Sequence, residues 1–161
     1  IYFEQGKTEE AIREGEKLIE AYPDEERYVL GLAETLSQNK QGARAISYIE
    51  NYLTDHPEAG SARLLLASLY RENGQENKAR ELLLVVFDDA TVEAGSKILV
   101  VGTYNALLNQ LASSPQVDPD LGNFIRQLVG KLKTNYPDNP NVYIVSGDLQ
   151  MALKDLRGAQ T

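Results

Sequence analysis

The stretch "GARAISYIENYLTDHPEAG" (Gly42–Gly60) decides the fold of this chain, because an earlier stretch carries the same pattern. The earlier stretch is "GKTEEAIREGEKLIEAYPDEE" (Gly6–Glu26). Ala11 and Ala45 hold the same place in the two stretches, and the prolines that close the stretches are separated by the same interval as these alanines. Because proline cannot continue a helix, each stretch is typical of one amphipathic helix with a defined end. The shared interval, the repeat interval of this chain, predicts a helical unit that recurs along the sequence.

The same register continues beyond these stretches. Ala79 follows Ala45 after one more repeat interval. Gly74 stands five residues before Ala79, as Gly6 stands five residues before Ala11. Later the register shifts, since Pro137 falls beyond the position that the repeat interval assigns to it, and a single 12-residue insertion accounts for the shift. The segment "LASSPQVDPDLG" (Leu111–Gly122) has the serine, proline and aspartate content of a surface loop. We therefore place the insertion there and expect the loop around residues 113–118 to project from the fold and to be mobile.

Each period holds two helical patterns. Val29, Leu32 and Leu36 recur at intervals of three and four residues, which is the spacing of one helix face. Asn39–Gly42 then interrupts the pattern, and a second helical pattern follows. The pairs predict an all-α fold, a right-handed α-solenoid of helix–turn–helix units in one array. The expected divisions are a partial repeat at residues 1–25, repeats at 26–59 and 60–91, a divergent repeat at 92–139 with a 12-residue insertion near 113–120, and a partial repeat at 140–161.

Small residues recur at one place in each helix of a pair, which lets the two helices approach closely. Val101 and Ile125 depart from this rule together, so we expect a wider separation of the helices in the fourth unit. The small residues are Ala33, Ala67 and Gly147 in the first helices, and Ala11, Ala45, Ala79 and Ala159 in the second helices.

The two ends of the chain fall inside repeats. The register places Ile1 late in a first helix and Thr161 early in a second helix, and we interpret the chain as a section of a longer protein. A repeat buries its apolar stripe only against its neighbours, so we expect weak end-to-end self-association through apolar residues at the ends. These residues are Tyr2, Phe3, Ile12 and Leu18 at the start, and Val142, Val145, Leu149 and Leu153 at the finish.

Composition excludes several classes of partner. The chain has 24 acidic residues against 16 basic ones, for a formal charge of −8. Nucleic acids and anionic membranes require a basic footprint, so we exclude nucleic acid as a main partner. The longest apolar run, Leu82–Phe87, is far shorter than the ~20 residues that cross a bilayer, which excludes direct membrane insertion. The lack of cysteine excludes thiolate catalysis and cysteine-ligated zinc.

No catalytic motif stands out. His56 is the only histidine, at a predicted helix end, and one histidine without cysteine makes a transition-metal site a poor interpretation. The acids Glu9–Glu10 and Asp24–Glu26 could be paired carboxylates, but we favour acids at helix starts, where they complement the macrodipole. "DPDLGN" (Asp118–Asn123) is similar to part of a calcium loop but lacks its full spacing. We predict no enzyme, no cofactor and no metal.

The repeated unit resembles the tetratricopeptide repeat, a 34-residue helix–turn–helix with the pattern W-x2-L-G-x2-Y…A-x3-F…P. The matching segments are "LLASLYRENGQENKAREL" (Leu65–Leu82) and "SGDLQMALKDLRGAQ" (Ser146–Gln160). The tryptophan is absent, and Val29, Arg63 and Tyr143 take its place. The order and spacing of the units also resemble those of large repeat proteins from the envelopes of Bacteroidetes-type bacteria. That looser resemblance implies a periplasmic or envelope location rather than a cytoplasmic one.

The resemblance implies a function as well as a fold. Proteins of this family bind a peptide or protein surface along the concave face, which the first helices line. Leu30 and Glu34 stand where chaperone-binding members have a lysine- and asparagine-rich clamp, so capture of an acidic C-terminus is disfavoured. The alternative function is a structural or regulatory section of a larger enzyme, or of an envelope secretion or assembly protein. The lining that the resemblance implies is Arg27, Leu30, Glu34, Gln38, Leu64, Ser68, Arg71, Glu72, Ile98, Asn105, Ile144, Asp148 and Met151.

Overall fold

The chain is all helical in the parts that its computed structural model describes. These are residues 2–111 and 120–159, with side chains over 6–111 and 120–154. They contain eight helices and no strand. The helices are α1 (Tyr2–Ala21), α2 (Glu26–Gln38), α3 (Gly42–Asp55), α4 (Gly60–Glu72), α5 (Glu76–Asp88), α6 (Ala94–Leu111), α7 (Leu121–Asn135) and α8 (Pro140–Ala159).

The starts of alternate helices keep the repeat interval of the sequence. Helices α2, α4 and α6 begin at Glu26, Gly60 and Ala94, which are evenly spaced at that interval. Helix α8 begins at Pro140, which is later than the repeat interval predicts. Its delay equals the delay of Pro137 in the sequence. Helix α6 has 18 residues against 13 in α2 and α4, so it extends closer to the place assigned to the insertion. The mobile loop expected at residues 113–118 lies outside the described residues.

The chain divides into two compact units, Ile1–Val86 and Phe87–Thr161. The first unit contains α1 to α4 and most of α5, and the second contains the end of α5 and α6 to α8. The assignment of individual repeats within one array stays a prediction.

The turns inside the pairs α2–α3 and α4–α5 have the same backbone geometry. Lys40 and Gly74 adopt φ values of 60° and 74° at matching positions. A left-handed residue after a helix end lets later amides bond to the last carbonyls of the helix. The amides of Gln41 and Gln75 do so, each donating at 2.8 Å to a carbonyl five residues earlier. Gly74 therefore occupies a left-handed position after a helix end, which glycine adopts without steric cost.

The core of the first unit follows the predicted helix faces. The three spaced residues of α2, Val29, Leu32 and Leu36, are 2%, 3% and 0% exposed. Of the small residues on which the pairs were expected to close, Ala33, Ala45 and Ala79 are buried with them in one cluster, and Ala67 is also buried. Ala11 was expected to be buried in the same way but is exposed. This cluster consists of Ile12, Val29, Leu32, Ala33, Leu36, Ala45, Ile46, Ile49, Ala62, Leu66, Leu69, Tyr70 and Ala79.

Glu16 links α1 to α3 within the first unit. Its Oε1 accepts hydrogen bonds from the hydroxyl of Tyr48 at 2.7 Å and from the guanidinium of Arg44 at 2.8 Å. Partial burial, and then the hydrogen bond to Glu16, raise the pKa of Tyr48, so the hydroxyl keeps its proton and donates. The three side chains fix the position of the first helix along the third.

In the second unit, α8 packs against both α6 and α7, and α6 also packs against α7. The rings of Tyr104 and Phe124 meet edge to face, with 5.1 Å between their centroids. Val101 and Ile125 are both completely buried, so this pair accommodates larger residues at the places where the first unit has alanine. The other buried apolar residues of the unit include Leu108, Leu121, Leu128, Val129, Leu132, Val142, Val145, Leu149 and Ala152.

A buried lysine joins three segments of the second unit. Lys97 is completely buried, and its Nζ donates to the carbonyls of Phe87 and Asp89 at 3.3 and 2.6 Å and to the hydroxyl of Tyr136 at 3.1 Å. The carbonyls lie at the end of α5, where the helix dipole is negative and favours a cation. The Tyr136 hydroxyl in turn donates to the carbonyl of Val92 at 3.3 Å. All three ammonium hydrogens can therefore be satisfied without a carboxylate.

The prediction for the helix boundaries at the two ends was wrong. Helix α1 passes through Gly6 without a turn, and α8 continues to Ala159, so each has 20 residues in place of a helix end and a second helix. In the complete pairs, packing between two helices stabilises the turn that joins them. In α1 and α8 the backbone hydrogen bonding continues through the positions assigned to these turns. Glu9–Glu10 consequently lies inside α1 and not at a helix start.

The apolar residues named for the two ends are mostly covered. Ile12, Val142 and Leu149 are 1%, 0% and 3% exposed, and Val145 is also buried. They face neighbouring helices of their own unit, so they offer no surface to another molecule. Of the four residues named at the start, Leu18 is exposed, at 39%. The side chains of the first two, at positions 2 and 3, lie outside the described residues.

Replacing Lys97 with methionine should destabilise the second unit by about 1–3 kcal/mol, because buried carbonyls lose their donor. Urea unfolding followed by circular dichroism measures the change. Lys154→Met, at an exposed position of α8, is the matched control and should change stability by less than about 0.5 kcal/mol. Equal stability of the two variants would show that the buried ammonium contributes nothing.

Candidate functional site

The first helices of the first unit present eight of the candidate residues. Leu30 on α2 and Leu64 on α4 are separated by one repeat interval and are both half-buried. Leu30 packs partly against the core of the unit, so its remaining surface forms an apolar floor. Polar and charged residues surround the two leucines along the same helices. They are Arg27, Glu34 and Gln38 on α2, and Ser68, Arg71 and Glu72 on α4.

Two hydrogen bonds hold α2 against α4. Near the C-terminal ends, the Ser37 hydroxyl donates to Oε2 of Glu72 at 2.8 Å. Near the N-terminal ends, the backbone amide of Ala62 donates to Oε1 of Glu26 at 3.0 Å. This amide is one of the first-turn donors that lack a partner within a helix, so a carboxylate is a favourable acceptor. The two links define one face that spans both helices.

Arg27 is held in place on this face. Its Nε lies 3.1 Å from Oε2 of Glu25, one of its terminal nitrogens donates to the Tyr28 hydroxyl at 3.0 Å, and the guanidinium lies over the Tyr28 ring at 4.7 Å. The side chain remains 71% exposed. Orientation by neighbours lowers the entropic cost of binding an anionic or carbonyl group, since less side-chain freedom remains to be lost.

Tyr70 fixes α4 from its buried side. Its hydroxyl donates to Oε1 of Glu50 on α3 at 2.6 Å. Burial, followed by the hydrogen bond and the charge of Glu50, raises the pKa of Tyr70 to about 12. The ammonium of Lys78 also lies 5.1 Å from the centre of the ring. The candidate face on α4 is thus supported from behind by a polar contact that strongly favours the protonated tyrosine.

Helix α8 places its three candidate residues on one face of the second unit. Ile144 and Met151 are 60% and 62% exposed, and Asp148 between them is half-buried. Their spacing of four and three residues is that of a single helix stripe. Ile98 on α6 is half-buried. The four residues are accessible to different extents.

Asn105 differs from the other candidates because it is 3% exposed. Its Nδ2 donates to the carbonyl of Val145 on α8 at 2.9 Å, and its Oδ1 has no hydrogen-bond partner among the described residues. The side chain therefore joins α6 to α8 and offers no surface to a partner in this conformation. The amide is long enough to reach the backbone of the neighbouring helix, which a helix-face pattern cannot show.

Sequence reasoning missed Ser37, although it links the two helices of the first face. Ser37 lies one repeat interval before Arg71 and two intervals before Asn105, both of which were candidates. Strict use of the register would have included it. The register does not show that this position contacts the first helix of the following repeat. The hydrogen bond from Ser37 to Glu72 shows that contact.

The histidine that was considered as a catalytic residue has a structural role at a helix end. His56 caps the C-terminal end of α3, stacks on Tyr52 at 4.4 Å, and has its Nε2 3.3 Å from Oδ1 of Asp24. Within the described parts of the chain, no three histidine or acidic side chains are grouped so as to hold a metal ion. None of the helices described is long and apolar enough to span a bilayer.

The helix pairs, their shared turn and their regular spacing agree with a sequence comparison. Residues 36–94 match the family model of the tetratricopeptide repeat. This segment is similar to tetratricopeptide repeats. The matched range runs from the end of α2 to the start of α6 and includes the turn with the left-handed Gly74. Tetratricopeptide domains bind proteins or peptides. No curated protein sequence matches the chain.

A solved structure is similar in fold to nearly the whole chain. The crystal structure of MamA protein is similar with a TM-score of 0.56 and 17% sequence identity, over 96% of this chain and 82% of that chain. This likeness concerns the fold alone. Together with the matched repeats, it confirms the predicted class, an all-α solenoid of tetratricopeptide type.

Replacing Tyr70 with phenylalanine should lower stability by about 1–2 kcal/mol at pH 7, because the bond to Glu50 is lost. The folded pKa of Tyr70 is about 12, above the unfolded value of 10.0, so its contribution is fully present below pH 10 and is lost as the pH rises towards 12. Urea unfolding at several pH values should show the gap between wild type and variant closing in that window. A gap that stays constant from pH 9 to pH 11.5 would contradict this assignment.

Proposed function

We propose that the chain is a non-catalytic scaffold that binds a peptide or protein surface in the concave groove of its tetratricopeptide repeats. The face of α2 and α4 supports the proposal best. It joins two half-buried leucines, Leu30 and Leu64, to an arginine that its neighbours orient, Arg27. An apolar floor with a polar border is the usual composition of a surface that binds peptides.

The charge on this face favours a segment of mixed character. Arg27 and Arg71 can meet carboxylates or backbone carbonyls, whereas Glu34 and Glu72 oppose an acidic segment. Opposite charges spaced along one face select the register of a partner more than they add affinity. A short segment with apolar side chains for the leucines, and with both acidic and basic residues, fits this pattern.

The proposed absence of catalysis rests on the family and on the residues of the face. Tetratricopeptide-repeat proteins are generally non-catalytic scaffolds. On the α2–α4 face, the described side chains include no histidine that could activate the hydroxyl of Ser37 or Ser68, and the Ser37 hydroxyl donates to Glu72. The alternative role, a section of a larger enzyme or envelope assembly, has no specific contact in its favour.

Arg71→Glu and Leu64→Glu should each weaken peptide capture at least tenfold, because one reverses a charge and the other places a carboxylate on the apolar floor. The probe is a library of random 12-residue peptides displayed on phage and selected on the wild-type chain. Affinities of the selected peptides are then measured by fluorescence anisotropy, and circular dichroism verifies that each variant keeps its helices.

Two matched substitutions control for charge alone. Arg13→Glu on α1 and Val85→Glu on α5 change equivalent residue types at exposed positions away from the α2–α4 face, and they should leave affinity within twofold. The proposal fails if selected peptides bind all four variants equally, or if the control substitutions weaken binding as strongly as the two on the face.

A further inference from the structure

The turn between α4 and α5 contains the one asparagine of the sequence that a glycine follows. Asn73 caps the end of α4, and Gly74 after it is left-handed, with φ of 74°. The backbone nitrogen that follows an asparagine can attack the carbonyl carbon of the side chain and form a cyclic imide, which is one reason why asparagine is thermolabile. Glycine obstructs this attack least because it has no side chain. Local sequence therefore makes Asn73 the asparagine most open to this reaction.

The folded turn holds these two residues in a geometry that prevents ring closure. The ring can close only when the Gly74 nitrogen eclipses the Cβ atom of Asn73 about its Cα–C bond. The ψ angle of Asn73 is 17°, so the Gly74 nitrogen nearly eclipses the backbone nitrogen of Asn73 instead. The Gly74 amide donates to the carbonyl of Arg71 at 3.0 Å, and the Gln75 amide donates to the carbonyl of Tyr70 at 2.8 Å. Rotation into the reactive geometry must therefore break the hydrogen bonds that close α4.

The side chain of Asn73 is held as well. Its Nδ2 donates to the carbonyl of Leu69 at 2.7 Å, one of the last carbonyls of α4. Its amide group lies against Gly42 at the start of α3, where an added Cβ atom would overlap it. The attacking nitrogen and the leaving nitrogen are thus both engaged in hydrogen bonds within the folded unit.

We propose that Asn73 is a site of spontaneous deamidation that reacts only when the turn between α4 and α5 opens. In the open turn, the Gly74 nitrogen gives up its proton to solvent and forms a bond to Cγ of Asn73, and the side-chain nitrogen leaves as ammonia. Water then adds to either carbonyl of the imide, and the ring opens to aspartate or isoaspartate. The net reaction consumes water and releases ammonia, and it needs no oxidant or reductant. Because the product does not return to asparagine, the change accumulates with each reactive opening.

Asn39 provides a comparison within the same chain. It caps α2 with a ψ angle of 22°, and its Nδ2 donates to the carbonyl of Thr35 at 2.7 Å. Lys40 follows it in the left-handed conformation, with φ of 60°. The two turns therefore share their geometry and differ in the side chain beside the attacking nitrogen. Since the lysine side chain obstructs attack, Asn39 should keep its amide while Asn73 reacts.

Deamidation weakens the end of α4. A carboxylate at position 73 cannot donate to the carbonyl of Leu69, and its charge lies at the negative end of the helix dipole. The neighbouring residue, Glu72, accepts the hydrogen bond from Ser37 at 2.8 Å. The modification therefore acts on the part of α4 that is linked to α2.

Rates of amide loss in the folded and unfolded chain test the proposal. The wild-type chain is incubated at mildly alkaline pH, with and without guanidinium chloride, and peptide mapping by mass spectrometry follows each asparagine. Asn73 should react at least about tenfold faster in the unfolded chain, because opening of the turn limits the rate in the folded protein. Asn39 should keep its amide in both samples over the same period. Equal rates at Asn73 in the two samples, or no reaction in the unfolded chain, would overturn the proposal.

Two glycine substitutions test whether the folded turn controls the rate. Gly42→Ala displaces the amide group of Asn73 without changing the reacting residues, so deamidation of the folded protein should accelerate about tenfold. Gly31→Ala is the matched control, since it alters an exposed glycine of α2 that has open space around it and should react like wild type. If Gly42→Ala loses helicity, the wild-type chain below its unfolding transition replaces it, and its rate should rise with denaturant. A rate that stays at the wild-type value in Gly42→Ala, or that is constant below the transition, would contradict control by the turn.

A further pair of variants tests the effect of the product. Asn73→Asp should unfold at a lower urea concentration than wild type, because the carbonyl of Leu69 loses its side-chain donor. Asn51→Asp makes the same chemical change at an exposed position of α3 and should stay close to wild type. Equal unfolding midpoints for the two variants would show that deamidation leaves the end of α4 unaffected.

Discussion

The close approach of two helices through alanine is the contact on which the first unit depends. Ala33 and Ala45 are completely buried, as are Ala67, at 2% exposed, and Ala79. With only a methyl group at the crossing, the larger residues beside it, such as Leu36 and Ile49, can fill the space between the helices. The repeat interval preserves this crossing from one pair to the next, and the left-handed turn residues set the length of each connection. Because the crossing occupies one side of each helix, it determines which side of α2 and α4 stays exposed.

The sequence was most informative where local chemistry and packing agree. The helix starts at Glu26 and Gly60, the left-handed Gly74 and the buried face of α2 all follow from spacing and turn residues. The predicted helix boundaries at the two ends were wrong because the repeat pattern assigns a turn to a position without showing whether the backbone turns there or continues as a helix. Asn105 was wrong as an accessible residue for a different reason. A helix-face pattern assigns a polar residue to solvent, whereas an amide can instead bond to the backbone of an adjacent helix.

The α2–α4 face differs in physical origin from the buried crossings. It arises from two first helices that lie side by side and are linked by the Ser37–Glu72 and Ala62–Glu26 hydrogen bonds. Its mixed charges fit the peptide segment proposed above, because opposite charges along one face select the register of a partner more than they add affinity.

Lys97 gives the second unit a link that opposes stepwise unfolding. Solenoid repeats unfold in steps, because each contacts only its neighbours and can separate from them locally. A fully buried ammonium is tolerated only while the end of α5, the following connection and Tyr136 all supply oxygen atoms at once. Withdrawal of any one segment leaves the cation short of partners in an apolar setting. Partial opening is therefore penalised, and the end of α5, the start of α6 and the end of α7 should lose their structure together.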